Sequence, residues 1–265
     1  MKHTDEGMHA DFRQANDPAT ESSKLAHIAT STHEVLRAAV AHNSATPLET
    51  IAELKSDPSD EVQNGLRNRG QVLVPKLLKA KAIIGDDLVF RDARVDDAAF
   101  ILMLRTDTGK SQFLSHTQND LGRQVAWLQG YKIDRNQAYF IIENKTGEKV
   151  GTVRLYDQVG DSFCWGSWIL KQGTPASYGI ESALIVYKFA LACGFKKSHF
   201  DVRKQNTSVW RFHERFGAVR TGETEHDYLY MIGLGEIQKS LARYAKYLQQ
   251  DIEVEFDETS AEASA

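Results

Sequence analysis

The 265-residue sequence predicts an α/β (α+β) fold, a mixed and mostly antiparallel sheet flanked by helices, with a small N-terminal all-α repeat-like unit. Three observations predict it. AYFIIE, VGTVRLYD and SFCWGSWIL are short, rich in aromatic and β-branched residues, and separated by the turns NKTGEK and QVGD, so they read as an antiparallel meander. A long apolar helix, about 178–193, is followed by the strand HFDV, so helix and strand alternate beyond the meander. Before residue 70, apolar pairs recur at helical spacing instead.

Taken in order, residues 1–22 are polar and read as a disordered lead-in. A helical repeat-like unit follows over 23–84. Within it a 26-residue offset pairs Leu25 with Ile51, Ile28 with Leu54, Leu36 with Val62 and Val40 with Leu66. Each copy suits two short helices joined by a turn, with Thr46-Pro47 and Asp57-Pro58 as punctuation. The pattern resembles leucine-rich-repeat-variant and HEAT-like helical repeats, which stack to share a core. An irregular helical extension packed on the following domain is the alternative. Val72–Ile84 (VLVPKLLKAKAII) reads as a bridging helix after Pro75. The second domain spans 85–250. It opens with the strand LVFRDAR, an amphipathic helix over Asp96–Leu104, a polar loop, and a helix holding Val125, Trp127 and Leu128. After the meander, the long helix and HFDV come a short helix (about Thr207–Phe216), the strands AVRTGET and DYLYMIG, and a last helix with Ile237, Leu241, Tyr244 and Leu248 on one face. Residues 251–265 read as an acidic disordered tail.

The formal net charge is −4, and the last fifteen residues hold six acids and no bases, which leaves the rest of the chain at +2. A nearly neutral body does not suit broad binding to a phosphate backbone, so no nucleic-acid partner is expected. Two cysteines, Cys164 and Cys193, make no disulfide framework and suit a reducing compartment. No run approaches the roughly 18 apolar residues of a membrane span, and the first residues lack the apolar core of a secretory signal. The expected location is cytoplasmic, away from membranes. The nine histidines show no spacing with Cys or carboxylates that would make a metal site, and no metal is expected.

The stretch from Lys171 to Ala218 carries the chemistry: a turn, a long helix, a buried strand, an Asn, a short helix and a Gly. It resembles the acyl-CoA-binding half of the GNAT superfamily of N-acetyltransferases, and the order of elements over residues about 86–233 is the GNAT order. The resemblance implies acetyl-CoA as co-substrate. In that family a turn of the form Gln/Arg-x-x-Gly-x-Gly/Ala at the start of the long helix cradles the pyrophosphate. Here it matches Ala176-Ser177-Tyr178-Gly179-Ile180-Glu181, continued by Ser182. Backbone N–H groups at a helix N-terminus make an anion site whatever the side chains are. Ala176 stands where the family has Gln or Arg. Glu181 stands where it has a small residue and brings a negative charge to the turn.

Further residues follow from the resemblance. Asn206 matches the family's pantetheine-contacting Asn and equally suits a helix N-cap. Phe212 lies beside it on the short helix. His213 falls where many members place the tyrosine that protonates the leaving thiolate. Histidine can do that with an unperturbed pKa near 6.5; a packing histidine is the alternative. The amine attacks the thioester directly, and the oxyanion donor is a backbone N–H that maps to Trp168, Ile169 or Leu170. For the base, Asp157, Asp161 or a chain of waters is considered, with Asp157 preferred. His116, Asn119 and Trp127 are expected to shape the acceptor pocket, and Trp127 and Tyr131 to form an aromatic wall or part of the core.

The polar loop, W-L, Y-F-I-I-E and V-G-x-V-R-L resemble two branches of the family. One acetylates amino sugars on nucleotide carriers, the other protein N-termini. The neutral body favours the small amine. A non-catalytic GNAT-like binding or scaffold protein is the rival reading. The expected partners are a small-molecule amine, a protein met through the N-terminal repeats, and a second copy of the chain in a homodimer.

Overall fold

The computed structural model describes residues 5–69, 75–107 and 119–257. In chain order the elements are α1 (Asp5–Asn16), α2 (Ser22–Ala29), α3 (Glu34–His42), α4 (Leu48–Leu54), α5 (Asp60–Arg67), β1 (Ala80–Ile84), β2 (Leu88–Asp92), α6 (Ala98–Thr106), α7 (Leu121–Ile133), β3 (Ala138–Asn144), β4 (Lys149–Val159), β5 (Ser162–Leu170), α8 (Ala176–Ala192), β6 (Lys197–Arg203), α9 (Thr207–Arg215), β7 (Val219–Glu223), β8 (Asp227–Ile232), α10 (Leu234–Arg243) and β9 (Glu253–Phe256). This is a mixed α/β architecture with a mostly antiparallel sheet flanked by helices. The chain forms two compact bodies, each discontinuous in sequence. The first holds residues up to 75 with 159–162 and 196–239, and the second holds 76–158, 163–195 and the residues from 240 on.

In the second body the strand order is β5-β4-β3-β2-β1-β9. The pairings β1/β2, β1/β9, β2/β3 and β3/β4 are antiparallel, with Phe90 opposite Ile142 and Ile141 opposite Thr152. Strand β3 is buried on both faces, so it reads as a near-continuous apolar run. Its alternate residues serve two cores. On one face Phe140 meets Phe90 at 5.9 Å and Phe189 of α8 at 5.4 Å. On the other, Tyr139 and Ile141 pack with Ile101 of α6 and with Leu128 and Tyr131 of α7. Helix α8 is buried along most of its length, which explains why it is apolar on nearly every side.

In the first body β6, β8 and β7 form an antiparallel sheet in the order β7-β8-β6, with Phe200 opposite Tyr230. Phe12, Leu25, Ile28, Leu36, Val40, Leu54 and Val62 of the helices share one core with Met231 of β8. Helices α2 and α4 open at Ser22 and Leu48, and α3 and α5 at Glu34 and Asp60, a 26-residue offset in both cases. Helix α5 lies close on α3 because Gly65 has no side chain. A β-carbon there would come within 2.6 Å of the Ala38 carbonyl oxygen. Arg37 ties the turn after α4 to α3 through two hydrogen bonds to Asp57, at 2.6 and 3.1 Å.

Three expectations need correction. The lead-in contains α1, whose Phe12 and Ala15 are buried. The bridging helix is not there: Ala80–Ile84 is a strand, held by pairing with β2 and β9. The tail contributes that β9 partner, where Val254 faces Ile83. Backbone pairing outweighs local propensity in both segments.

Candidate active site

The second body carries the turn and the strand end that the sequence singled out. Pro175 is the N-cap of α8 and offers no side-chain acceptor, so the first N–H groups of the 17-residue helix have no side-chain cap. Gly173 precedes it with φ +85°, a conformation suited to glycine. Ala176 is exposed, while Ser177, Tyr178, Gly179 and Ile180 are half-buried along the first turn. A β-carbon added at Gly179 would sit 3.9 Å from Leu170 Cδ1 and 3.9 Å from Trp168 Cζ2, an ordinary contact. Trp168 is fixed to α8 by a 3.0 Å hydrogen bond from its Nε1 to Ser182 Oγ. The end of β5 and the start of α8 are therefore one rigid corner.

Glu181 requires a correction. It is 1 % exposed, and its Oε1 accepts hydrogen bonds from the backbone N–H groups of Asp87 (2.8 Å) and Leu88 (3.0 Å) at the start of β2. Burial raises its pKa, and those two hydrogen bonds work against the rise. Its charge is spent inside the body, so it neither contacts a cofactor nor repels a phosphate at the turn. Ser182, wholly buried, is likewise a support for Trp168. Ile169 is buried as well.

Immediately before Trp168, Ser167 adopts φ +46° within β5. A non-glycine residue there is strained by about 1–2 kcal/mol. Thr152 Oγ1 holds it by donating to the Ser167 carbonyl oxygen at 2.8 Å, and Arg105 Nη1 donates to Ser167 Oγ at 3.3 Å. Strain concentrated at one strand residue re-aims the backbone that follows. Nothing in the sequence marks Ser167 except its place after Gly166.

An aromatic wall stands over β3 and β4. Trp127 is 39 % exposed and stacks on Tyr131 with centroids 5.9 Å apart, while Tyr139 meets it edge-on at 5.6 Å. Tyr131 is core: it is 2 % exposed, donates to Asp92, and accepts the Tyr139 N–H at 2.8 Å. Burial pushes its phenol up, and the Asp92 carboxyl up as well. The guanidinium of Arg154 lies 5.4 Å from the Trp127 ring and 4.3 Å from the Tyr156 ring. Arg154, Tyr156, Arg105 and Ser167 were missed by sequence reasoning, because strand spacing alone does not show which neighbours share a face. Asn119 is exposed before α7, and Asp157 is exposed near the end of β4 with φ +49°. His116 lies outside the described residues.

The first body carries the other expected residues. Asn206 occupies the N-cap position of α9, yet its side chain makes no capping bond; its Oδ1 accepts from Ser208 Oγ at 3.3 Å. Phe212 stacks on Phe216 at 4.5 Å. His213 is corrected: it is 5 % exposed, packs 4.2 Å from Phe200, and burial lowers its pKa to about 3. It is a neutral packing residue, without a proton to give near neutrality. Asp161 sits 3.4 Å from the buried Lys197 ammonium and is engaged there.

Residues 87–219 match the family described as acetyltransferase (GNAT) domain. The chain belongs to the GNAT acetyltransferase family. Among solved structures, it is similar to apo FdhC, described as a nucleotide-linked sugar GNAT, at 34% identity, covering 64% of this chain and 97% of that one with a TM-score of 0.56. Two more distant likenesses show the fold alone. A probable acetyltransferase of Chromobacterium violaceum shares 15% identity, covering 62% of this chain and 91% of that one, with a TM-score of 0.53. The spermidine N-acetyltransferase of Vibrio cholerae, solved with CoA and spermine, shares 14% identity, covering 57% of this chain and 98% of that one, with a TM-score of 0.51. No curated protein matches the sequence. In this GNAT chain no group of three or more His, Cys, Asp or Glu among the described residues could hold a metal ion. No described helix is long and apolar enough to cross a membrane.

Proposed function

We propose that this GNAT chain transfers an acetyl group from acetyl-CoA to the primary amine of a nucleotide-linked amino sugar. The observation that carries this reading is the 34% identity to a nucleotide-linked sugar GNAT along 97% of that protein. The amine nitrogen attacks the thioester carbon, the C–S bond breaks, and the product is an amide and CoA. The uncapped N–H groups that open α8 suit a pyrophosphate, and Gly179 leaves room for it. A backbone N–H of Trp168–Leu170, re-aimed by Ser167, would donate to the thioester oxygen as it gains charge. The Asn206 amide, not spent on capping, is assigned to the pantetheine arm.

Asp157, directly or through water, takes the proton that the amine loses. His213, buried and neutral, is not assigned as the acid for the leaving group. A thiolate with an ordinary pKa near 8.5 departs without one. Trp127 and Asn119 are assigned to the acceptor. Titration of the purified chain with acetyl-CoA, CoA and an adenine nucleotide tests the cofactor half of the reading. Binding that needs the pantetheine arm supports it, and equal or absent binding of all three removes it.

A further inference from the structure

Strand β4 grips the bend in β5 at two successive residues, one from each face of the sheet. Thr152 is wholly buried and lies opposite Ile141 of β3, so its side chain stands on the face packed with α6 and α7. Its one donor proton goes to the Ser167 carbonyl oxygen at 2.8 Å. Gly151, opposite Ile142, presents the other face. A β-carbon there would come within 2.4 Å of the Ile169 carbonyl oxygen, so that carbonyl occupies the place of a side chain.

Both contacts orient peptide planes. In a trans peptide the C=O and N–H point to opposite sides, and no peptide bond among the described residues is cis. The Ser167 carbonyl, held toward Thr152, therefore turns the Trp168 N–H away from β4. The Ile169 carbonyl over Gly151 does the same for the Leu170 N–H. Ser167, at φ +46°, sits where a serine stays only if its surroundings hold it. Thr152 does so at the carbonyl, and Arg105 Nη1 at the Ser167 hydroxyl, 3.3 Å away. A carbonyl that accepts a hydrogen bond also makes the N–H at the other end of its peptide a better donor. For the sheet alone, valine would fill the Thr152 position as well, since it is β-branched and of the same shape. The bend is what uses the hydroxyl.

We propose that Thr152 is a positioning residue for acetyl transfer: by holding the Ser167–Trp168 peptide, it aims the Trp168 N–H at the thioester oxygen. The inference rests on the acetyl-transfer reading above and narrows its oxyanion donor from three residues to one. As the amine nitrogen bonds to the carbonyl carbon, the C=O π pair moves onto oxygen, where the Trp168 N–H meets the charge. That pair returns to re-form C=O as the C–S pair leaves on sulfur, and the amine's proton goes to Asp157 directly or through water.

Acetyl-CoA carrying ¹³C at the thioester carbonyl tests this without an acceptor or turnover. A hydrogen bond to the oxygen draws electrons from that carbon. Bound to the full-length wild-type chain, its resonance should therefore lie downfield of free acetyl-CoA. Thr152→Ser keeps the hydroxyl and should keep the shift. Thr152→Val should lose most of it, while the dissociation constant of acetyl-CoA changes by less than about threefold. A second readout needs no variant beyond an assignment. In the chain labelled with ¹⁵N-tryptophan, the backbone amide of Trp168 is one of four, identified by the peak that Trp168→Phe deletes. It should move further with acetyl-CoA than with CoA.

An unmoved carbonyl in the bound wild type would overturn the proposal, as would equal shifts in wild type and Thr152→Val. So would a shift lost in Thr152→Ser as in Thr152→Val, or a Trp168 amide that responds alike to CoA and acetyl-CoA. Each of these leaves cofactor binding intact. Failure of the wild-type chain to bind acetyl-CoA would instead remove the acetyl-transfer reading, and the inference with it.

Discussion

A β-carbon at Gly179 would meet only Leu170 Cδ1 and Trp168 Cζ2, both at 3.9 Å, so the protein's own packing does not require glycine there. Gly179→Ala should therefore raise the melting temperature, since alanine is favoured over glycine in a helix by up to about 1 kcal/mol. The same change should raise the Michaelis constant for acetyl-CoA by on the order of tenfold, about 1.4 kcal/mol. A tighter or unchanged constant would leave the glycine without a ligand to face. Asn206 gives a similar separation. An N-cap Asn replaced by Ala usually costs about 1 kcal/mol. Because this side chain makes no capping bond, Asn206→Ala should lose under about 0.5 kcal/mol in a denaturant melt and still raise the acetyl-CoA constant.

His213 shows what residue type alone conceals. Its position suggested an acid, whereas its pKa, lowered to about 3 by burial beside Phe200, makes it a neutral core residue. With the folded value below the unfolded 6.5, the stability that goes with it is complete above pH 6.5. It drains away as pH falls through that value toward 3. His213→Leu should flatten the loss of melting temperature between pH 7 and pH 5 and leave the pH profile of turnover unchanged. A turnover profile that loses a limb near neutrality would restore His213 as the acid.

Elements divide into those the sequence shows and those it hides. The meander β3–β5 and helix α8 were legible because their apolar periods and turn residues are local. Strands β1 and β9 were not, since each is held by a partner far away in sequence, as with Ile83 opposite Val254. Glu181 looked like a flaw at the phosphate turn for the same reason: spacing could not show that the N–H groups of Asp87 and Leu88 pass beside it. Another acid braces β2 against β4. Burial tends to raise the Asp97 carboxyl, but hydrogen bonds from Arg91, Lys149 and the Arg94 N–H outweigh this and hold it at about 2. The stability from this depressed group is present above its unfolded value of 3.8 and is lost as pH falls toward 2. Asp97→Asn should destabilise the chain by about 3 kcal/mol, because it leaves the Arg91 guanidinium without its bidentate partner. It should also remove part of the acid sensitivity below pH 4. A melting curve within about 0.5 kcal/mol of wild type would show that the network is dispensable.

At the scale of the whole molecule, family membership was legible because Gly179 and Asn206 kept their places in the order of turn, long helix, strand, Asn and short helix. The discontinuous bodies were not, because β6–β8 and α9 group with the N-terminal helices through contacts distant in sequence. The acceptor is a question for the complete protein. The most direct measurement is thiol release from acetyl-CoA with nucleoside-diphosphate-linked amino hexoses, the free amino sugars and an N-terminal peptide, with products identified by mass. Transfer to the sugar predicts turnover that requires the nucleotide carrier and an acetyl group found on the sugar nitrogen. Turnover of the peptide alone, or thiol release from none of them by a chain that binds acetyl-CoA, would contradict it.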